Sequence, residues 1–229
     1  MKTLFTLLVF CSFGFTQPFQ WVSFEMKQRS NRDGVTSETR SMVYFDENSQ
    51  LIIRQLFPME LFVFNNKEGE LKIYNPEKNQ VFQQMNYMLG SQNNQFYFFL
   101  MNKTDDMGLF DLGFELMSSR LEDQLLISEY NSPPSVKQYF DKVELVHKGK
   151  RPIFVGYKDK KGKFLKKVYY YNYIEDIGLA FPGAITEINY IDKRDSIVSK
   201  TSFTNFKIND EVDREIMRFE IPLDAQLIE

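Results

Sequence analysis

One histidine and one cysteine, His147 and Cys11, serve the whole 229-residue chain, and that scarcity narrows the chemistry open to it. Nucleophilic catalysis of the Ser-His-Asp kind needs an imidazole placed as general base. His147 closes the run Val143-Glu144-Leu145-Val146-His147-Lys148 at a strand end beside a turn, the place of an exposed histidine with no special role. No G-x-S-x-G elbow accompanies it. A zinc site of nitrogen and sulfur ligands needs several such side chains, so that class is excluded. Asp105-Asp106 and Asp111 with Glu115 suggest a carboxylate pair or a calcium site, but they lack EF-hand spacing. Acids at a helix start are in any case favoured by the helix dipole. Glycosidase-type acid pairs carry no local signature; the strand-borne Glu25, Glu38, Glu129 and Glu187 read as outward-facing surface residues. Glycine-rich phosphate loops are absent, as is the strand–helix alternation they need. The residues predict no enzyme, no catalytic group, no metal and no cofactor.

The surplus lies in apolar side chains. The 23 Phe and 12 Tyr suit strands and the walls of apolar pockets. A hydrophobic share of 43% is too high for a wholly disordered chain, and the length gives one domain with a sizeable core. A net charge of −3 supplies no basic field for nucleic acid. The runs Lys158-Asp159-Lys160-Lys161-Gly162-Lys163 and Lys166-Lys167 read as a charged turn between strands.

The N-terminus reads as an address. Lys2 precedes an apolar run from Leu4 to Phe15 that falls short of the ~20 residues a spanning helix needs, as in a secretory signal. With Gly14 and Thr16 as the small residues, residues 1–16 form the signal peptide and 17–229 the mature domain; Ser12 and Gly14 give an alternative cleavage site. Phe10 is too large to precede a lipidated cysteine, so Cys11 leaves with the signal. The mature protein is expected to be soluble in the periplasm and to hold its fold in an oxidising compartment without a disulfide.

Elements follow from periodicity. Val22, Phe24 and Met26 alternate with Ser23, Glu25 and Lys27, a half-buried strand. Asn31-Arg32-Asp33-Gly34 turns the chain into Thr36–Phe45; further strands are read at 51–56, 61–64, 71–74 and 80–82, a six-strand meander. From Met85 to about Ser119 the alternation stops. Asn94 can cap Gln95 to Met101, and Met107 to Leu116 is apolar at mixed spacing, giving one or two short helices across the sheet. Strands resume at 124–130, 140–148, 153–158, 164–173, 184–192, 197–208 and 217–221, with turns that include Pro182-Gly183 and Asp192–Asp195.

Met42-Val43-Tyr44-Phe45 and Leu61-Phe62-Val63-Phe64 are apolar on both faces, so those strands must be covered on both sides. A curved sheet with a gap beneath its cover makes an apolar cavity. The same residues packed shut make an ordinary core, and composition leaves both open.

Several stretches, in order, resemble the periplasmic lipoprotein carriers of the LolA type and their lipid-binding relatives. Phe24-Glu25-Met26-Lys27-Gln28 resembles the family's first strand and Ser41-Met42-Val43-Tyr44-Phe45 its second. Leu71-Lys72-Ile73-Tyr74-Asn75-Pro76-Glu77-Lys78-Asn79-Gln80-Val81 is similar to its W-x-Y-x-P-x-x-x-Q hairpin, and Phe219-Glu220-Ile221-Pro222-Leu223-Asp224-Ala225 to its closing strand. The resemblance implies a mainly β fold with a few helices: a strongly curved antiparallel sheet, an incomplete, half-open β-barrel, with short lid helices over its concave face. It also implies a monomeric carrier for acylated lipoproteins or other lipids, with an inner-membrane release complex and an outer-membrane receptor as partners. Two features depart from the family. Only a few residues separate the cleavage site from Trp21, leaving no room for an initial helix, and Asp46-Glu47-Asn48 carries no arginine where the family latches its lid.

On this reading Val22, Phe24, Met26, Met42, Tyr44, Leu61, Val63 and Ile73 line the cavity, and Phe98, Phe99, Leu109 and Phe110 form the lid. The alternative is a non-enzymatic envelope sensor or assembly protein that uses the same scaffold to grip a protein partner.

Overall fold

In the computed structural model, which describes residues 19–86, 90–175, 179–191 and 195–228, one curved, open sheet of 14 strands runs through the chain. Cys11, the proposed signal segment and most of the Asp192–Asp195 turn lie outside the described residues. The first half is a meander: β1 (Trp21–Arg32), β2 (Val35–Asp46), β3 (Leu51–Phe57), β4 (Leu61–Asn65), β5 (Glu70–Asn75) and β6 (Gln80–Met85). A 3-10 turn at Ser91–Asn93 leads into α1 (Gln95–Leu100). The second meander is β7 (Glu115–Glu122), β8 (Leu125–Asn131), β9 (Lys142–Lys148), β10 (Arg151–Lys158), β11 (Phe164–Ile174), β12 (Phe181–Tyr190) and β13 (Ser196–Ile208). A short α2 (Arg214–Met217) and β14 (Gln226–Ile228) end the chain.

Strand β13 pairs antiparallel with β1 and so joins the two meanders. β14 adds parallel to β6, leaving β14 and β7 as the sheet's two edges. The hairpin between β1 and β2 closes on Arg32 opposite Val35. Its two loop residues, Asp33 and Gly34, have φ of 50° and 79°, the left-handed pair that matches strand twist.

Each face has its own cover. Val22 and Phe24 stand opposite Phe45 and Val43, and all four belong to the large core on the inner face, with Phe181, Ile185 and Phe203 from β12 and β13. α1 fills that face: Phe96, Tyr97, Phe98, Phe99 and Leu100 are all buried. Phe96 meets Phe24 edge-on at 5.7 Å, and Phe99 meets Phe181 at 5.6 Å. Asn94 caps the helix, its side chain accepting from the Phe96 backbone N–H at 2.9 Å.

Tyr44 and Ile52 on the outer face form a second cluster with Val212, Ile216 and Met217 from the C-terminal segment. Phe219 continues that cover, stacked on Phe62 at 4.5 Å. The two-sided apolar character of β2 thus has two sources, a helix inside and the C-terminal segment outside, and that segment also covers the outer side of β4.

The structure corrects three expected elements. Met107 to Gly113 is a series of turns rather than a helix, and 115–122 is strand β7, exposed along its whole length. An exposed edge strand has no buried face to impose an alternation, so no period marks it. The strand expected at Met217–Ile221 is absent: α2 ends at Met217 and an irregular stretch carries Phe219 onto β4. Pro182-Gly183 lies inside β12, where it lets the backbone approach Asn172 closely; a β-carbon on Gly183 would sit 2.3 Å from the Asn172 carbonyl oxygen.

Candidate functional site

A cavity of about 620 Å³ opens on the inner face of the second meander. Its floor is the inward side of β10 and β11: Val155 faces Val168 across the strand pair and Tyr157 faces Lys166, and all four line it. Its roof is Phe98 from α1 with Met107, Leu109, Leu112 and Phe114 from the turns that follow. Val136, Tyr139 and Phe140, from the loop between β8 and β9, close one side. Phe140 is held by Phe114, stacked at 6.0 Å, and by Tyr157, edge-on at 5.0 Å.

Most of the wall is hydrocarbon, and the polar groups are gathered. Asn93, Asn94 and Gln95 stand at the start of α1. Lys166 and Glu187 form a 2.7 Å ion pair toward the β10–β11 hairpin end. Burial pushes the Tyr157 hydroxyl up to about 12, with the nearby Glu187 carboxylate adding to it. Burial raises Tyr170 as well, well above the ordinary tyrosine value. Both phenols stay neutral in the wall, so among the described residues the only formal charges lining the cavity are the Lys166–Glu187 pair.

Of the twelve residues expected to line or cover a cavity, two line this one, Phe98 and Leu109. Phe99 is buried against Tyr170, Tyr173 and Phe181, while Phe110 points out at 55% exposure. Val22, Phe24 and Met26 are on the inner face but packed into the solid core. By register, Leu61, Val63 and Ile73 lie on the same face as Ile53, far from the cavity along the sheet. Met42 and Tyr44 belong to the outer cluster, because Val43 and Phe45 take the inward positions of β2. The hollow is on the second meander, and its signal was the inward alternation Val155/Tyr157 and Val168/Tyr170.

Three polar residues also differ from expectation. His147 is buried, with its Nε2 2.9 Å from the Thr104 carbonyl oxygen, tying the segment after α1 to the sheet. Glu187 faces the cavity rather than solvent. Asp106 caps its own turn by accepting from the Gly108 and Phe110 backbone N–H groups. Two of the strand-borne acids serve ion pairs. Glu129 accepts from Lys142 at 2.7 Å, and Glu38 holds Arg29 and Lys27. Among the described residues no cluster of three or more acids, histidines or cysteines could hold a metal. No described helix is long and apolar enough to cross a membrane.

No family model matches the sequence, and no curated protein sequence matches it. Solved structures do. A LolA superfamily protein from Nitrosomonas europaea superposes with a TM-score of 0.59 at 16% identity, covering 87% of this chain and 90% of its own. A DUF1329 family protein from Desulfovibrio piger gives 0.57 at 11% identity over 86% and 88%. A putative outer membrane lipoprotein-sorting protein domain from Vibrio parahaemolyticus gives 0.56 at 10% identity over 85% and 88%. The chain therefore has the fold of the LolA superfamily, a curved, open sheet with a helix on its inner face.

Proposed function

We propose that this protein is a non-enzymatic carrier that holds the acyl part of a lipid or lipoprotein in the cavity between α1 and strands β10 and β11. The observation that carries the reading is that hydrocarbon-walled hollow, about 620 Å³, lying on the inner face of a LolA-type sheet. The volume falls within the ~300–1,000 Å³ of small-molecule sites. Each methylene moved from water into such a wall contributes about 0.8 kcal/mol, so a long chain is held without any specific polar contact. Residues 1–16 fit export, and the periplasm is the compartment proposed. The protein works there as a monomer, taking cargo from an inner-membrane complex and passing it to an outer-membrane receptor.

Uptake of a fluorescent fatty acid tests the reading. The native chain should bind it, and Leu112→Trp, which fills the hollow from a half-buried wall position, should lower uptake at least tenfold with the circular dichroism spectrum unchanged. Phe98→Asp should do the same by placing a carboxylate in the roof. Unaltered uptake in both variants rejects the cavity as the site.

The second reading, a sensor or assembly protein that grips a polypeptide, is favoured by β7. This edge strand exposes Leu116, Met117 and Leu121 beside an open row of backbone groups. A partner of that kind would bind equally well to Leu112→Trp.

A further inference from the structure

The cavity is graded along its length. On β11 the inward positions run Tyr170, Val168, Lys166 toward the β10–β11 hairpin, and on β12 they run Ile185, Glu187. A second groove of about 250 Å³ begins at that hairpin and shares Tyr139 and Phe140 with the cavity wall. It carries Lys137, Lys160 and Lys161, all exposed, with Asp141 and Asp159. The three lysines outnumber the two acids, leaving the groove net positive. Asp159 Oδ1 accepts from the backbone N–H groups of Lys161 and Lys163 at 2.8 and 2.9 Å, which commits it to the turn. Asp141 stands 3.7 Å from Lys137. Lys160 and Lys161 form no ion pair among the described residues.

We propose that the site takes a single-chain amphiphile with an anionic, phosphate-bearing head, the chain in the cavity and the head in the lysine groove. This rests on the carrier reading and narrows its cargo. Size sets the chain number. At roughly 30 Å³ per methylene-sized group, close to the liquid volume of a water molecule, the cavity of about 620 Å³ holds on the order of 20 such groups. That number suits one long chain. Charge sets the head: flexible ammonium groups beside the apolar mouth favour a phosphate over a neutral glycerol head, each close contact being a charge-assisted hydrogen bond.

Native mass spectrometry and competition binding of the full mature chain separate the claims. The probes are lysophosphatidylglycerol, a monoacylglycerol of the same chain length, two-chain phosphatidylglycerol and inorganic phosphate. The expected result is one lysophosphatidylglycerol per chain, bound about tenfold more tightly than the monoacylglycerol. In K160E/K161E that preference should fall to about one. A second lysolipid per chain, or tighter binding of the two-chain lipid, overturns the single-chain assignment. An unchanged preference in the double variant overturns the head site. Displacement of the lysolipid by inorganic phosphate at the head's own affinity assigns the groove to a free anion and also overturns it. In each of these cases the carrier reading stands; if no acyl probe binds at all, the carrier reading falls too.

Discussion

Gly108 lies directly against Phe98: it has a φ of +75°, and a β-carbon built on it would come within 2.3 Å of the Phe98 ring. With no side chain here, the turn segment closes onto the roof of the cavity without displacing the ring. Gly108→Ala should cost about 2 kcal/mol, from the left-handed backbone and the displaced ring together. The ring has the hollow to move into, so fatty-acid uptake should fall as well. Urea denaturation and the uptake assay read the two effects. Wild-type stability would mean that the segment shifts freely and does not hold the roof.

Asn94 is both the cap of α1 and a wall residue of the cavity. Asn94→Ala should lower stability by about 1 kcal/mol, and Asn94→Ser should recover most of it, because a hydroxyl also accepts from the first turn. Denaturation midpoints of the two variants test this. Equal losses would show that the side chain acts through packing and not through the cap.

On the outer face Glu129 and Glu144 stand directly opposite each other on β8 and β9. The Lys142 hydrogen bond, helped by Lys158, holds Glu129 below the ordinary value of 4.5. A carboxylate lowered on folding adds stability above that ordinary value and loses it as pH falls through the lowered one. With its side chain 21% exposed, Glu129→Gln should cost about 1 kcal/mol at neutral pH. The gap from wild type should close in acid. Urea midpoints between about pH 3 and about pH 7 check it; a gap independent of pH would contradict the pairing.

Tyr157 titrates in the opposite sense. Burial raises its hydroxyl from 10.0 to about 12, so its contribution is complete below the unfolded value and is lost as pH rises through the folded one. Tyr157→Phe should leave neutral stability within about 0.5 kcal/mol and reduce the alkaline loss by on the order of 1–2 kcal/mol. Thermal melts at neutral and alkaline pH measure both. An equal alkaline loss in the variant would show that the phenol is hydrated.

Much of this architecture is written in short-range signals. The Val22/Phe24/Met26 alternation reports the inner face of β1, Asp33-Gly34 reports its hairpin, and Asn94 reports the start of α1. Each is decided by neighbours in the chain. What could not be read depended on distant segments. Met42-Val43-Tyr44-Phe45 is apolar on both sides, so period alone does not say which pair faces in; the answer comes from Val212 and Ile216 covering one side. His147 looks like any strand-end residue until Thr104 is laid over it. The position of the cavity was illegible for a deeper reason. Solid core and cavity wall use the same side chains, and only the packing of α1 against β12 instead of β10 decides where space remains.

Mass spectrometry of organic extracts from protein purified without detergent shows whether the space beneath Phe98 and Leu109 holds an acyl chain. A single-chain acyl species is expected at close to one per protein, sharply reduced in extracts of Leu112→Trp. Extracts free of acyl species, from a folded native chain expressed in its own envelope, would overturn the carrier reading.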